Sequence, residues 1–596
     1  MIQSFKFRST IIFFIFIALY AAVGVNLYFI QIKHHDFYKK LADQQYHVTI
    51  TQTPLRGPIF DRSGHNYLAM NKDYMAAFIL PTQLTDTKHT LQFLEKHFPH
   101  AVQRFEQNKQ KHFMFIKRRL SPEEIDLIKA EKNPDIFLLS EPGRYYSLTS
   151  ASPIIGLTSI DNKGLLGVEL LYNHILAGKP TTCHLEKDAR SGYYYFKKET
   201  TVQGDIGHPL HLTIDADLQF LVQEAVQQTV DKFKASQAAV IIMDPNNGEI
   251  ISMLSYPYFD PNNPHMAHSE NFKNKILTDA HELGSVMKVC AALAALEEGV
   301  VTSDELIDCK NCLTTQIDGR TINTVQAHGI IPFSDVIALS NNIGIAIVSK
   351  KLGTTLYDHY KKLGFGCKTG IKFPGENPGF VNPPEHWSKQ SIISLSYGYE
   401  VSITLLQLAC AFSIIATGYK IVPTLIRSNP SIHSSTLHFD EHSGRADENI
   451  NSYGKKEKDN SLSPLALSVS DLSCVALAKE GGNVLKGVKL YSDATLNTIK
   501  EILERTTLHG TARKAAIKGY RVMSKTGTAN MLIDGAYNPD KNIYTCAGIV
   551  EKDNYQRVIV TFVKEAQQKN IYASTVAVPL FESVAERMLI HDKIIS

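Results

Sequence analysis

Gly284-Ser-Val-Met-Lys288 leads without a break into Val289-Cys-Ala-Ala-Leu-Ala-Ala-Leu-Glu-Glu298 and then Gly299. Alanine and leucine are strong helix formers, and a glycine just past the last turn suits a helix end. The stretch predicts a helix with Ser285 in its first turn and Lys288 three residues on, on the same face. That spacing sets an amine beside a hydroxyl. A serine hydroxyl is a poor nucleophile until a neighbouring base takes its proton. A lysine can serve if burial keeps it neutral, and a helix N-terminus favours a developing negative charge. By itself the pattern says little, because Ser-x-x-Lys arises by chance roughly twice in a chain this long.

Two further patterns give it weight. Ser340-Asn341-Asn342 interrupts an apolar stretch between the helical runs Ser334–Leu339 and Ile343–Leu352. Serine and asparagine there suit helix caps. They also suit a proton relay through Ser340, with the Asn342 amide bonding substrate or Lys288. Lys525-Thr-Gly-Thr528, preceded by Tyr520-Arg-Val-Met-Ser524, reads as a strand with a polar tip facing a cleft. Lys525 and Thr526 suit a carboxylate. Gly527 lets a ligand approach the backbone, and the Thr528 N–H suits an oxyanion. Lys368-Thr-Gly370 repeats the tripeptide, but Pro374 and Gly375 follow it, so it reads as a structural loop.

Around these motifs the order of elements is strands, then helices, then strands. Asp215 caps a helix from about Leu218 to Lys232. Ala238–Met243, the turn Asp244-Pro-Asn-Asn-Gly248 and Glu249–Leu254 form a hairpin. Tyr544–Val550 and Arg557–Val563 form another, before a final amphipathic helix over Pro579–Leu589. Helices fill 285 to about 420. This order predicts an α+β domain, an antiparallel sheet with helices packed on it.

The chain has 596 residues, enough for two or three folded units. Its 62 basic and 59 acidic residues give a formal net charge of +3, so no electrostatic argument favours a nucleic-acid partner. Ile11–Ile30 is an apolar run in which only Asn26 is clearly polar. It is long enough to span a bilayer and longer than the h-region of a cleaved signal. Lys6 and Arg8 precede it, which predicts a cytoplasmic tail over 1–10, an anchor over 11–30 and the rest exported. The eight cysteines form no metal-ligand pattern. They read as free thiols, with Cys309 and Cys312 near enough for a local disulfide. Residues 428–463 are polar and aperiodic and read as a disordered surface insertion.

Ser-x-x-Lys, Ser-x-Asn and Lys-Thr-Gly, in this order, are the motif set of penicillin-binding proteins and class A β-lactamases. The chain resembles class B penicillin-binding proteins over nearly its whole length. Arg56-Gly-Pro-Ile-Phe-Asp-Arg-Ser-Gly-His-Asn-Tyr-Leu-Ala69 and Gly164-Leu-Leu-Gly-Val-Glu169 resemble the family's pedestal signatures, expected to supply turns and a buried ion pair but no chemistry. Asp244-Pro-x-x-Gly-Glu-Ile250 resembles the opening hairpin of the transpeptidase fold. Gly510–Ala529 resembles the septal, division-specific branch. The resemblance implies a dimerisation-type pedestal over 31–205 and a transpeptidase domain over 206–596, with a five-stranded antiparallel sheet flanked by helices as in serine β-lactamases. The segment Ser396–Thr404 departs from the family: Glu400 stands where glycine is usual, and Leu405 where proline is. A carboxylate at 400 bears on the cleft and on β-lactam affinity.

The resemblance also implies a reaction. Ser285 attacks the penultimate carbonyl of a peptidoglycan stem peptide ending in D-Ala-D-Ala, and Lys288 takes its proton. The N–H groups of Ser285 and Thr528 hold the oxyanion. Ser340 helps pass the proton to the leaving D-Ala, while the Asn342 amide bonds substrate or Lys288. Lys525 and Thr526 bind the terminal carboxylate, and Gly527 lets substrate approach the backbone. A second stem-peptide amine resolves the acyl-enzyme. No metal or organic cofactor is implied. β-Lactams are expected to acylate Ser285. The expected setting is the inner membrane, with the catalytic domain on its periplasmic side, beside a polytopic glycan polymerase and other division proteins. The competing readings are a D,D-carboxypeptidase or β-lactamase, a β-lactam-sensing receptor, and a non-catalytic division scaffold.

Overall fold

In the computed structural model, residues 2–427 and 489–594 are described, apart from 53, 112, 188–193, 203, 534, 569 and 570. The polar stretch 428–463 lies outside them. The chain forms two compact units, Met1–Gly57 with His174–His208, and Pro58–Asn173 with Pro209–Ser596.

In the first unit, the apolar run forms the helix Ile2–Tyr28, which starts earlier than the apolar residues alone suggest. Phe7–Lys33 is long and apolar enough to cross a membrane, and none of it is buried. The strands His47–Gln52, Thr181–Lys187 and Tyr194–Val202 form an antiparallel sheet with Thr181–Lys187 in the middle.

In the second unit, the long strand Tyr67–Ile79 pairs with Phe137–Tyr146 and with Met114–Lys117. The short strand Ile59–Phe60 joins it to Leu210–His211. Other contacts, such as Ser152 Oγ donating to the Phe259 carbonyl oxygen at 2.7 Å, also join 58–173 to the C-terminal part of the chain, and the compact units cut across the expected 31–205 segment.

The two pedestal signatures act as local architecture. Asp61 accepts from Ser63 Oγ at 2.6 Å, from the Gly64 N–H at 3.0 Å and from Asn66 Nδ2 at 3.0 Å, closing the turn. Glu169 pairs with Arg144 Nε at 2.7 Å, with both side chains fully buried. Gly164 and Gly167 pack so closely that a Cβ would lie 2.0 Å from the Glu169 carbonyl oxygen and 2.4 Å from that of Ile154.

The C-terminal body opens with helix α1 (Ala216–Phe233), capped by Asp215, which accepts from the Leu218 N–H at 2.9 Å. Strands β1 (Gln237–Met243) and β2 (Ile250–Tyr256) follow as a hairpin. Helix α2 (Lys288–Glu297) carries the first motif. Strands β3 (Thr314–Ile317) and β4 (Arg320–Asn323) form a small separate hairpin. Helices α3 (Phe333–Ala338) and α4 (Asn342–Lys350) flank the second motif. Next come α5 (Ser391–Ser396), α6 (Leu405–Thr417) and α7 (Asp493–Leu508). Strands β5 (Arg521–Ile533), β6 (Ala536–Lys552) and β7 (Tyr555–Lys564) and helix α8 (Ala577–His591) end the chain.

The main sheet is antiparallel, in the order β2-β1-β7-β6-β5, as the motif resemblance implied. Leu218, Val222 and Val226 of α1, with Phe581, Val584 and Met588 of α8, cover one face. Each such side chain contributes roughly 1.5–3 kcal/mol through burial. α6 packs on the opposite face, buried at Leu405–Ala416. Thr404 and Gln407 form its capping box. Leu405 is therefore the first helical residue, a position that also suits proline, which accounts for both residues there. β5 is an edge strand, and its free side faces the motifs.

Breaking one half of the Arg144–Glu169 pair leaves a buried charge uncompensated. Glu169→Ala is expected to lose ~3–5 kcal/mol of stability, read as a lower midpoint in chemical denaturation.

Candidate active site

The Ser285 segment forms a 3-10 turn, Gly284–Met287, that runs directly into α2. Ser285 is partly exposed, and Lys288 is fully buried at the first residue of the α-helix. The turn packs on β5 through backbone. Gly284 has φ +59°, and a Cβ there would lie 2.6 Å from the Thr528 carbonyl oxygen. A Cβ on Gly527 would lie 2.4 Å from the Leu283 oxygen, and one on Gly398 2.3 Å from the Gly284 oxygen. Gly527 thus serves the approach of the turn to the strand.

The second motif lies between α3 and α4. Ser340 takes the left-handed conformation, φ 59°, which is uncommon for a non-glycine residue. Its Oγ lies 3.2 Å from Lys288 Nζ and 3.0 Å from Lys525 Nζ. Lys288 also donates to the Ser340 carbonyl oxygen at 2.6 Å, and Lys525 to the Thr526 carbonyl oxygen at 3.1 Å. Both lysines are fully buried. Burial first, and then the charge of Lys525, hold the Lys288 amine well below the ordinary lysine value. Burial pushes Lys525 down to about 7.

Asn341 and Asn342 divide their roles. Asn341 is buried and caps α4, accepting from the Gly344 N–H at 2.9 Å. The Asn342 amide donates to the Asn323 carbonyl oxygen at 2.5 Å, at the end of β4, and does not bond Lys288.

Thr526 Oγ1 lies 2.7 Å from Thr511 Oγ1, and Thr528 Oγ1 accepts from the Ala573 N–H at 3.0 Å. Thr511 belongs to the segment between α7 and β5 and was not singled out from sequence. Glu282, three residues before Ser285, was missed as well. Its Oε1 accepts from the Glu400 N–H at 2.8 Å and its Oε2 from Tyr537 Oη at 2.9 Å. Burial raises its pKa above the usual carboxylate value. Neither partner is near Glu282 in sequence, so nothing local signals the contact.

Lys368-Thr-Gly370 lies in a loop apart from the motifs, as expected. Thr369 donates through its N–H and its hydroxyl to Glu376 Oε1 at 2.6 and 2.5 Å. Among the described residues, Cys309 and Cys312 are both free thiols, as are Cys290, Cys410 and Cys546. Among the described residues, one triad has metal-ligand spacing, Asp215, Asp217 and His591. Its Asp215 is already the cap of α1.

Residues 238–586 match the penicillin-binding protein transpeptidase domain. The chain belongs to this family. Residues 51–212 match the penicillin-binding protein dimerisation domain, which completes the class B arrangement. A probable peptidoglycan D,D-transpeptidase, PbpC of Pseudomonas aeruginosa, is 30% identical over 438 residues, 72% of this chain and 76% of its own. The peptidoglycan D,D-transpeptidase FtsI of Escherichia coli K12 is 27% identical over 542 residues, 89% and 82% of the two chains. A crystal structure of penicillin-binding protein 3 from Mycobacterium tuberculosis, complexed with aztreonam, shares the fold at a TM-score of 0.63 and 22% identity, covering 91% of this chain and 98% of the other.

In this family setting the backbone contact at Gly527 is open to a direct test. Gly527→Ala forces a Cβ against the Leu283 carbonyl and pushes the Ser285 turn off β5. The expected loss is ~1–3 kcal/mol, with secondary structure by circular dichroism unchanged.

Proposed function

We propose that the protein is a division-type peptidoglycan D,D-transpeptidase acting through an acyl-enzyme on Ser285. The observation that carries this is the convergence of two buried lysine amines on one hydroxyl, Ser340 Oγ, beside the Ser285 turn. The named relatives, FtsI among them, support the division role.

Lys288, held toward its neutral form, takes the Ser285 proton as Oγ attacks the penultimate carbonyl of a D-Ala-D-Ala stem peptide. The N–H groups of Ser285 and Thr528 receive the oxyanion, a type of contact worth ~10²–10³ in rate. The proton passes from Lys288 through Ser340 to the departing D-Ala nitrogen. Lys525 and Thr526 bind the terminal carboxylate, whose charge draws a proton onto the Lys525 amine. The amine of a second stem peptide attacks the ester, releasing Ser285 and forming the crosslink. Asn342 serves this reading by holding Asn323, not by touching Lys288. The helix over Phe7–Lys33 anchors the chain in the inner membrane with the catalytic body on the periplasmic side. A polytopic glycan polymerase and other division proteins are its partners there.

A labelled penicillin is expected to form a stable adduct on Ser285, located by peptide mass and lost in Ser285→Ala. A silent adduct assay together with no D-Ala release would leave a scaffold as the better reading. The acylation rate should also fall with acid. Below its depressed pKa Lys288 is protonated and cannot accept the serine proton; above it the amine is free. Rates measured between pH 4 and 9 that stay flat on the acid side would remove Lys288 as the base.

A further inference from the structure

Glu400 is the departure from the family that the reaction leaves unexplained. Its backbone is left-handed, φ 60°, which glycine adopts freely and glutamate does not. The glutamate stands there against a local backbone cost. Its side chain is engaged. Oε2 accepts from Asn382 Nδ2 at 2.8 Å, and the Asn382 N–H donates to the Glu400 carbonyl oxygen at 3.1 Å. Oε1 lies 4.0 Å from Arg320 Nη1.

Arg320 comes from a different part of the chain. It is the first residue of β4, after the turn Asp318-Gly319, whose φ angles are 51° and 77°. Two positive φ values in a two-residue loop make a tight hairpin turn, so the position of Arg320 on the hairpin is well fixed. The tip is tied down, with Lys350 2.7 Å from Asp318. Arg320 Nη1 also donates to Ser394 Oγ, and its guanidinium lies 5.8 Å from the centre of the Tyr397 ring. At the other end of β4, the Asn323 carbonyl accepts the Asn342 amide. The hairpin is therefore fastened at one end to the second motif and at the other to 394–400. That second segment lies against the nucleophile turn through Gly398 and through the Glu400 N–H bonded to Glu282.

We propose that Arg320 and Glu400 are specificity-determining residues of this cleft. Together they tie the β3–β4 hairpin to the segment behind Ser285, and so restrict the bulk of the donor side chain that reaches the nucleophile. The inference rests on the acyl-serine reading above.

The test uses the full chain in detergent and two labelled β-lactams that share a ring system, one with a compact and one with a bulky acyl side chain. Second-order acylation rates are measured for the parent, Arg320→Ala, Arg320→Lys, Glu400→Gln and Glu400→Gly. The bulky-to-compact rate ratio is expected to rise about fivefold in Arg320→Ala and Glu400→Gly, the loss of one partly exposed ion pair. Arg320→Lys and Glu400→Gln should fall between these and the parent. Glu400→Gly should not lower the melting temperature, because glycine suits the backbone there. This separates the effect from loss of folding. A ratio that stays within about twofold of the parent, with both donors still forming the adduct or both slowed equally, overturns the proposal. Absence of any Ser285 adduct in the parent, together with no D-Ala release, overturns the acyl-serine reading, and this inference with it.

Discussion

The active centre depends on three stretches of backbone meeting with no side chain between them. Gly284 meets Thr528, Gly527 meets Leu283, and Gly398 meets Gly284, each at a distance that a single Cβ would violate. Side chains cannot hold Ser285 this close to the Lys525 strand, because any added carbon occupies the space of the approach. The sheet and the helices on its two faces supply the rigidity. β5 can receive the turn because it is the sheet edge, with one side free of strand partners.

Once the backbones are that close, electrostatics decides what the centre does. Two lysines in one dry pocket are unfavourable as cations, since burial and mutual repulsion act in the same direction. The arrangement persists because Ser340 offers both a hydroxyl and a carbonyl oxygen, and because Lys288 is driven toward its neutral form. The left-handed turn at Ser340 presents both oxygens to one amine. Backbone strain here accompanies a chemical requirement, as it often does in catalytic centres.

What the sequence disclosed follows from how locally each feature is encoded. The hairpins and the capped helix at Asp215 rest on residues within a few positions of one another, and they were legible. So was the Lys368-Thr-Gly370 loop, given away by the proline and glycine after it. The two asparagines of the second motif were harder. Both suit a cap and both suit a ligand, and only the fold shows that Asn341 caps while Asn342 reaches for Asn323. Arg144 and Glu169 stand 25 residues apart, so a buried pair could be expected but its cation not named. Arg320 and Glu282 carried no signal, because their partners come from other parts of the chain. Glu400 stood out in the sequence, but its positive φ, a conformation glycine adopts freely, is a property of the folded backbone. The compact units were not legible either, since the contacts that join 58–173 to the C-terminal part of the chain link residues far apart in sequence.

The order of strands in the main sheet has a consequence for how the protein is made. β1, from the start of the domain, pairs with β7, from its end; Ser236 bonds to Lys564 across 328 residues. Long loops must close before such a pairing forms, and topologies of this kind fold slowly. The strand bearing Lys525 joins the sheet only through β6 and β7. A chain emerging N-terminus first would therefore carry Ser285 and Lys288 on an unfinished scaffold until β7 had followed. The site that gathers Ser285, Ser340 and Lys525 is then among the last features to mature, since it needs β5, β6 and β7 in place.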